Sequence, residues 1–584
     1  MRAATHRVIM AWLTVAILST AAAGEPYPLR WVYAQVNLAD PVSVTATLQL
    51  ISRARDAGLN GIVLSDAKFM TLEKYGHDRP SSPYYRHVQQ VLRAARLQGI
   101  EIIPHVGVVS RAEGLFAYDP NLAEGFEVRD AVFEVRGGVA QLVPDPTAFL
   151  RDGGFERAEE NRFVEWSSQD GPGKVTIPDS SVARSGRQSI RLEPSASTRP
   201  PGLARINQRV KVTPRRCYRV SVWVQTQGLE PANSFNISVS GLSPGTNRPL
   251  AYNSFAVAAS QGWKQVHAVF NSLDYTEIIV HLGVWHGRRG RVWLDDAELV
   301  EIGLVNVLRR QGCPLTVRSI DGRITYREER DYARVEDRRL GRARAWLGVF
   351  DRYHEPPSIR MLNGLADGTR LKVSFYHPLV VHGGQVDACM TEPAADAVFE
   401  RQIRSLHRTL GSPKRWFLGY NEIRAGGSCA ACKGTGQTPG EILANHVRRT
   451  VATVRRVVPG AELVTWHDMF SPAGNARDHY YLVEGTMAGS WEGLPGDMLI
   501  CNWTGKDLEK SLKFFAERGH GQVASINFDD VTDVTAATRK ALEILDRTPH
   551  ARGLLFTTWK KRYEGLEEFG RLLGAHSPGA PGER

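Results

Sequence analysis

Cysteine is scarce, with six among 584 residues. That is too few to staple a chain of this length, so a disulfide-rich scaffold is excluded. Long apolar runs are scarcer. One stands at the start, over residues 8–18, and no later one approaches the roughly 20 residues of a membrane span. Charge of a single sign is also missing. There are 73 Lys+Arg against 62 Asp+Glu, a net charge of +11, and the bases sit beside acids, as in Glu336-Asp337-Arg338-Arg339. Such mixing marks a solvated surface and excludes nucleic acid as the expected partner. No internal repeat or low-complexity segment appears, apart from a Gly/Pro tail after Ser577. What is present is ordinary: 42% hydrophobic and 23% charged residues, the composition of a globular chain with room for several domains.

The apolar run at the start follows Arg2 and Arg7 and precedes Ala21-Ala22-Ala23. A positive n-region, a short h-region and small residues before the cut read as a secretory signal peptide over 1–23. The alternative is a single N-terminal anchor helix. The mature chain is then expected to be secreted or periplasmic, with no membrane span.

Strand-like runs at 31–36, 61–66 and 101–106 alternate with amphipathic helices at 42–57 and 88–97. That rhythm means parallel βα units. From 145 to 302 the helical signal vanishes. Short alternating runs separated by turn residues, such as Tyr218-Arg219-Val220-Ser221-Val222-Trp223-Val224, predict a β-sandwich. Residues 303–367 show no clear helix and are expected to pack on the barrel as a connecting segment. Parallel units then resume over 368–576, with strands at 371–376, 416–420, 463–466, 498–502, 522–528 and 554–558. The early and late blocks offer nine strands for eight barrel places, and 371–376 is the one expected to be accessory or to displace another. The expected fold is an α/β (β/α)8 barrel, its first part at 24–144, with a jelly-roll sandwich inserted after the third strand and a flexible tail at 577–584.

Barrel enzymes carry their chemistry at the C-terminal ends of strands. Here those ends read Tyr420-Asn421-Glu422, Trp466-His467-Asp468, Asn502-Trp503, Asn527-Phe528-Asp529-Asp530 and Thr558-Trp559. Carboxylates beside aromatic rings suit glycoside chemistry: one acid protonates the leaving oxygen, a second carboxylate acts as base or nucleophile, and tryptophan faces stack on sugar rings. Glu422 is the expected acid, with Asp468, Asp529 or Asp530 as its partner. Asn421, Trp466, His467, Trp503, Trp559, Tyr376, His377 and Arg424 are the expected substrate contacts. Arg424 is equally placed to pair with Glu422 or Asp468. For His105, after the third strand, a satisfied core histidine is the expectation.

The segment Phe417-Leu418-Gly419-Tyr420-Asn421-Glu422 and the strand order resemble the family 20 β-hexosaminidases. There an Asp-Glu pair ends the fourth strand, the Glu is the acid, and the Asp orients the substrate acetamide. Glu422 matches that acid, and Trp466 matches a tryptophan that contacts substrate. Asn421 stands where the family has Asp, a departure that bears on the acetamide-assisted mechanism. Asn-Glu at a strand end also resembles the clan A retaining glycosidases, whose nucleophile is a Glu on the seventh strand; this chain has Asp529 and Asp530 there. The inserted segment resembles the CenC-type carbohydrate-binding modules, from Asp152-Gly153-Gly154-Phe155-Glu156 to Trp293-Leu294-Asp295-Asp296. That resemblance implies a structural calcium held by Glu156 and Asp296, oxygen ligands suited to a hard cation. No cofactor is expected in catalysis. Together these features imply a secreted glycosidase acting on a poly- or oligosaccharide. The alternative is a polysaccharide-binding protein with a degenerate barrel.

Cys429-Ala430-Ala431-Cys432-Lys433-Gly434-Thr435-Gly436 follows Glu422 closely and resembles half of a DnaJ-type zinc repeat. No second CxxC exists, and Cys389 is a candidate third thiolate with no fourth ligand in view. A short-loop disulfide is the main expectation, with a metal site, a redox pair and unpaired thiols as alternatives.

Overall fold

The computed structural model describes residues 27–576, apart from 169, 196–200, 245, 345, 504 and 530. The expected signal peptide, the 577–584 tail and Asp530 therefore lie outside the described residues.

Eight parallel strands close into a barrel. They are β1 (Leu29–Gln35), β2 (Gly61–Ser65), β3 (Glu101–Gly107), β4 (Arg415–Gly419), β5 (Glu462–Trp466), β6 (Leu499–Trp503), β7 (Gln522–Asn527) and β8 (Ala551–Thr557), with β8 pairing back onto β1. Alternation along each strand sorts the side chains. Trp31, Tyr33, Val63, Ile103, Phe417, Val464, Trp466, Cys501, Val523 and Leu555 fill the interior as one buried cluster. Their neighbours Val32, Ile62, Leu418, Ile500, Ala524 and Phe556 face outward into the helix layer. Gly61 makes room for this filling: a Cβ there would lie 2.6 Å from Cδ1 of Trp31.

The outer layer holds α1 (Pro41–Asp56), α2 (Pro83–Leu97), α3 (Pro393–Thr409), α4 (Pro439–Val457), α5 (Leu508–Ala516), α6 (Val534–Asp546) and α7 (Leu566–Ala575). Between β5 and β6 the described residues form no α-helix, only 3-10 turns at Asp468–Phe470 and Ser490–Gly493 and a short strand, Leu482–Val483, that pairs with Ala425–Gly426. Helix α4 shows why these segments coil. Thr438 and Glu441 form a reciprocal capping box, proline opens the first turn, and Ile442, Leu443, Val447, Val451 and Val454 make the buried stripe. No described helix is long and apolar enough to cross a membrane.

The chain leaves the barrel after β3 and returns at β4. In between it builds two antiparallel five-stranded sheets from residues 167–301, with Val220, Val222, Ile237, Phe270, Leu282 and Leu294 buried between them. It also builds a six-stranded sheet that the sequence reading resolves only in part. Strand Arg370–His377 pairs antiparallel with Phe126–Arg136, and the pieces Thr316–Ser319 and Ile359–Arg360 of the connecting segment join the same sheet. The ninth strand candidate is thus accessory. Its alternation is that of a half-buried antiparallel strand, and Phe126–Arg136 supplies the partner that a barrel place would otherwise provide.

Candidate active site at the barrel mouth

The same alternation that fills the barrel brings polar and aromatic side chains to its C-terminal rim. Counting by twos from the interior residues leads to Gln35 on β1, Ser65 on β2, His105 on β3, Trp503 on β6, Ser525 and Asn527 on β7 and Thr557 on β8. Two adjoining cavities open there. One, of about 420 Å³, lies over Tyr33, Ser65, His105, Gly419 and Trp466. The other, of about 530 Å³, is lined by Glu422, Trp503, Ser525, Asn527 and Thr557. Gln35, Arg111, Asn421 and Trp559 line both. Aromatic rings run along the rim from Trp559 to Tyr33 (centroids 5.2 Å apart), to Trp466 (6.2 Å) and on to Trp503 (5.7 Å). Trp559 is 43% exposed, so its ring is open to a ligand at the rim.

Glu422 is the one carboxylate among the described residues of the larger cavity. Its backbone is left-handed, φ 50°, a conformation that costs a non-glycine residue about 1–3 kcal/mol. Neighbours oppose that cost. The Glu422 amide donates to Oδ2 of Asp468 at 2.8 Å, and its carbonyl accepts from the side-chain amide of Gln385 at 2.8 Å. Arg424 reaches Glu422 Oε1 with Nη2 at 2.8 Å and also donates to the side-chain oxygen of Gln385. Behind them, Asp387 Oδ2 accepts from the amides of Arg424 (2.7 Å) and Ala425 (2.8 Å). Burial pushes the carboxyls of Asp468 and Asp387 up to about 7 each. Of the two pairings open to Arg424, the structure shows the one with Glu422.

Asp468 lies behind Glu422 and lines neither cavity. It is 2% exposed, and the same Oδ2 also accepts from Asn475 at 2.8 Å. Its placement is that of a group orienting the Glu422 backbone. Asp529 is engaged on both oxygens: Oδ1 accepts from Thr558 Oγ1 at 2.6 Å and Oδ2 from the Trp559 amide at 2.6 Å, with the Lys560 amide at 3.2 Å from each. Burial alone would raise its carboxyl, but these donors hold it below the usual carboxylate range. The strand-end position of both residues is as expected; their side chains turn to scaffold donors, Asp529 to Thr558 and the amides of Trp559 and Lys560, Asp468 through Oδ2 alone to the Glu422 amide and Asn475.

Other expected contacts divide in the same way. His467 is buried, with Nδ1 accepting from the Trp503 amide at 3.3 Å, and burial lowers its pKa to about 4. Tyr376 and His377 end a strand of the accessory sheet and not of the barrel. His377 is buried against Asn271 (3.2 Å) and Cys217 (3.9 Å) of the sandwich, so the two are removed from the rim as a consequence of the strand's antiparallel pairing. His105, read as a core residue, faces the smaller cavity with Nε2 unpartnered, and burial lowers its pKa to about 4. In the sandwich, Asp296 pairs with Arg184 and accepts from Ser185 Oγ at 2.6 Å. Glu156 accepts from the Arg187 amide at 2.9 Å. Neither belongs to a cluster of three or more His, Cys, Asp or Glu ligands among the described residues. Gln35, Arg111, Ser525, Asn527 and Thr557 were not singled out as contacts from the sequence. Strand parity reveals all of them except Arg111, which sits in the loop after β3.

No protein-family model matches the chain, and no curated protein matches it. Solved structures do. The carbohydrate-binding module TmCBM61 in complex with beta-1,4-galactotriose matches at 17% identity and TM-score 0.20, over 26% of this chain and 99% of that one. The CBM22-1 xylan-binding domain from Paenibacillus barcinonensis matches at 14% identity and TM-score 0.20, over 26% and 94%. The enzymatically active domain of tailspike protein 4 from bacteriophage CBA120 matches at 12% identity and TM-score 0.21, over 27% and 22%.

Proposed function

We propose that the chain is a secreted glycoside hydrolase acting at the barrel mouth on a poly- or oligosaccharide. The observation that carries this reading is Glu422: a single carboxylate, braced in a left-handed turn, facing a cavity shared with Trp503 and Trp559. Glu422 is the proton donor to the glycosidic oxygen, a role worth about 10²–10⁴-fold in rate. Arg424 fixes Oε1 of the side chain, and Glu422 lines the cavity. The tryptophan faces take the apolar C–H faces of sugar rings, and Gln35, Asn421 and Asn527 supply donors and acceptors for hydroxyls. Asp530 remains the proposed partner carboxylate, since Asp468 and Asp529 are both engaged in the scaffold. The likeness to family 20 rests on the strand order, the segment Phe417–Glu422 and Trp466, and Asn421 departs from it.

That engagement also favours a second reading, a barrel that binds glycan without turning it over. One experiment separates the two. Wild type and Glu422→Gln are incubated with a panel of plant, bacterial and animal polysaccharides, with binding and released reducing ends measured together. Release by the wild type alone, with binding by both, supports hydrolysis. Binding by both with no release by either supports the second reading.

A further inference from the structure

Behind the Glu422 loop, four buried groups converge from three separate segments. Cys429 and Cys432 come from that loop, Cys389 from the strand-like segment before α3, and Glu124 from the excursion after β3. Each is at most 1% exposed, and one ligand atom from each lies within 4.8 Å of all the others. All six cysteines of the chain are free thiols, so the short-loop disulfide expected at Cys429 and Cys432 is not formed. Cys389 Sγ stands 3.6 Å from Cys429 Sγ and 3.8 Å from Cys432 Sγ. Cys432 Sγ stands 3.5 Å from Glu124 Oε2.

Those spacings have a chemical meaning. A tetrahedral zinc with Zn–S of about 2.3 Å and Zn–O of about 2.1 Å has S···S edges of about 3.8 Å and S···O edges of about 3.6 Å. We infer that Cys389, Cys429, Cys432 and Glu124 bind one structural zinc ion. Soft thiolates in a closed, buried, four-ligand arrangement favour zinc over hard cations.

The surroundings fit. Glu124 Oε1 accepts from the amides of Ser428 (2.7 Å) and Cys429 (2.8 Å), which leaves Oε2 toward the thiols. The Cys432 amide points at Cys429 Sγ at 3.5 Å. Arg310 adds positive charge beside a ligand set more negative than zinc alone neutralises; it is fixed by Glu392 at 3.3 Å and by the carbonyls of Asn121 (2.9 Å) and Ala123 (3.2 Å). Thr391 Oγ1 stands 3.3 Å from both Cys389 Sγ and Cys432 Sγ, a hydroxyl placed to donate to a metal-bound thiolate. The ion would clip the Cys429–Cys432 loop to the strap that carries Gln385 and Asp387, the residues that brace Arg424 and Glu422. The inference does not depend on the glycosidase reading. It differs from the DnaJ-type resemblance, which lacked a fourth ligand; Cys313 adjoins Cys429 but lies outside the four-ligand group.

The test uses the full chain, purified without chelator and dialysed into metal-free buffer. Plasma mass spectrometry should find about one zinc per chain. Cobalt exchanged into the protein should show thiolate charge-transfer bands and the intense visible bands of a tetrahedral ion. Cys429→Ser/Cys432→Ser and Cys389→Ser should each lose the metal, Glu124→Gln should lower its affinity by at least 10-fold, and Cys217→Ser/Cys501→Ser should keep it. Because a ligand variant can fail to fold, the wild-type chain is also alkylated under denaturing, non-reducing conditions. A disulfide among Cys389, Cys429 and Cys432, or iron in place of zinc, overturns the inference. Metal lost on Cys313→Ser but retained by Glu124→Gln removes Glu124 from the ligand set.

Discussion

The loop after β4 and the loop after β7 make an instructive pair. Each ends a barrel strand, and each carries a carboxylate beside an amide side chain, Asn421-Glu422 in one and Asn527 with Asp529 in the other. In the first loop the backbone donors near Glu422 are taken by other groups: Asp468 receives the Glu422 amide and Asp387 receives those of Arg424 and Ala425. Glu422 is left with a single arginine and a view of the cavity. In the second loop Asp529 itself collects Thr558 and the amides of Trp559 and Lys560. Whether a strand-end carboxylate faces the cavity or the scaffold thus depends on which neighbour satisfies the exposed amides first.

The largest effect is expected where the comparison is sharpest. Glu422→Gln should lower turnover about 10²–10⁴-fold with an unchanged melting temperature, read by single-turnover kinetics beside calorimetry. A comparable loss of rate in Asp529→Asn at unchanged stability would erase the distinction between the two loops.

Next comes the pH dependence that Asp468 confers. Its carboxyl sits at about 7 in the fold against about 3.9 in the unfolded chain. The unfolded chain gives up its proton first, so this group's contribution to stability is lost as pH rises from about 4 to about 7, on the order of 4 kcal/mol at most. Asp468→Asn removes that titration while an amide oxygen still accepts from Glu422 and Asn475. Urea unfolding at pH 4.5 and 7.5 should show the variant gaining stability relative to wild type at the higher pH. An equal difference at both values would mean that Asp468 is ionised in the fold.

Asp529→Ala strands one hydroxyl and two amides and should cost about 1–3 kcal/mol, seen as a lower urea midpoint. Wild-type stability in this variant would show that water replaces the carboxylate. The smallest effect is expected at Trp559. Being 43% exposed, its truncation to Ala should leave stability within about 0.5 kcal/mol and weaken glycan binding, measured by calorimetric titration.

Much of the fold is legible along the chain because period-two alternation and helix caps are local signals. The eight barrel strands and the antiparallel inserted segment follow from them. The six-stranded sheet is harder to read, since Arg370–His377 finds its partner in Phe126–Arg136, more than two hundred residues earlier, and pairing across such a distance leaves no mark on either segment. The rim is legible in part. Parity leads to Gln35, Ser525 and Asn527, whereas Arg111 reaches the cavity from a loop whose path the sequence does not disclose.

The sequence by itself determined which strand ends carry acids, aromatic rings and thiols, because residue type and period are properties of the chain. Only the tertiary structure decided what each does. Hydrogen-bond donors are shared among neighbours in space, so it took the folded arrangement to turn Asp468 and Asp529 inward, to leave Glu422 facing a cavity, and to bring Glu124 to three cysteines that lie 265 or more residues further along the chain.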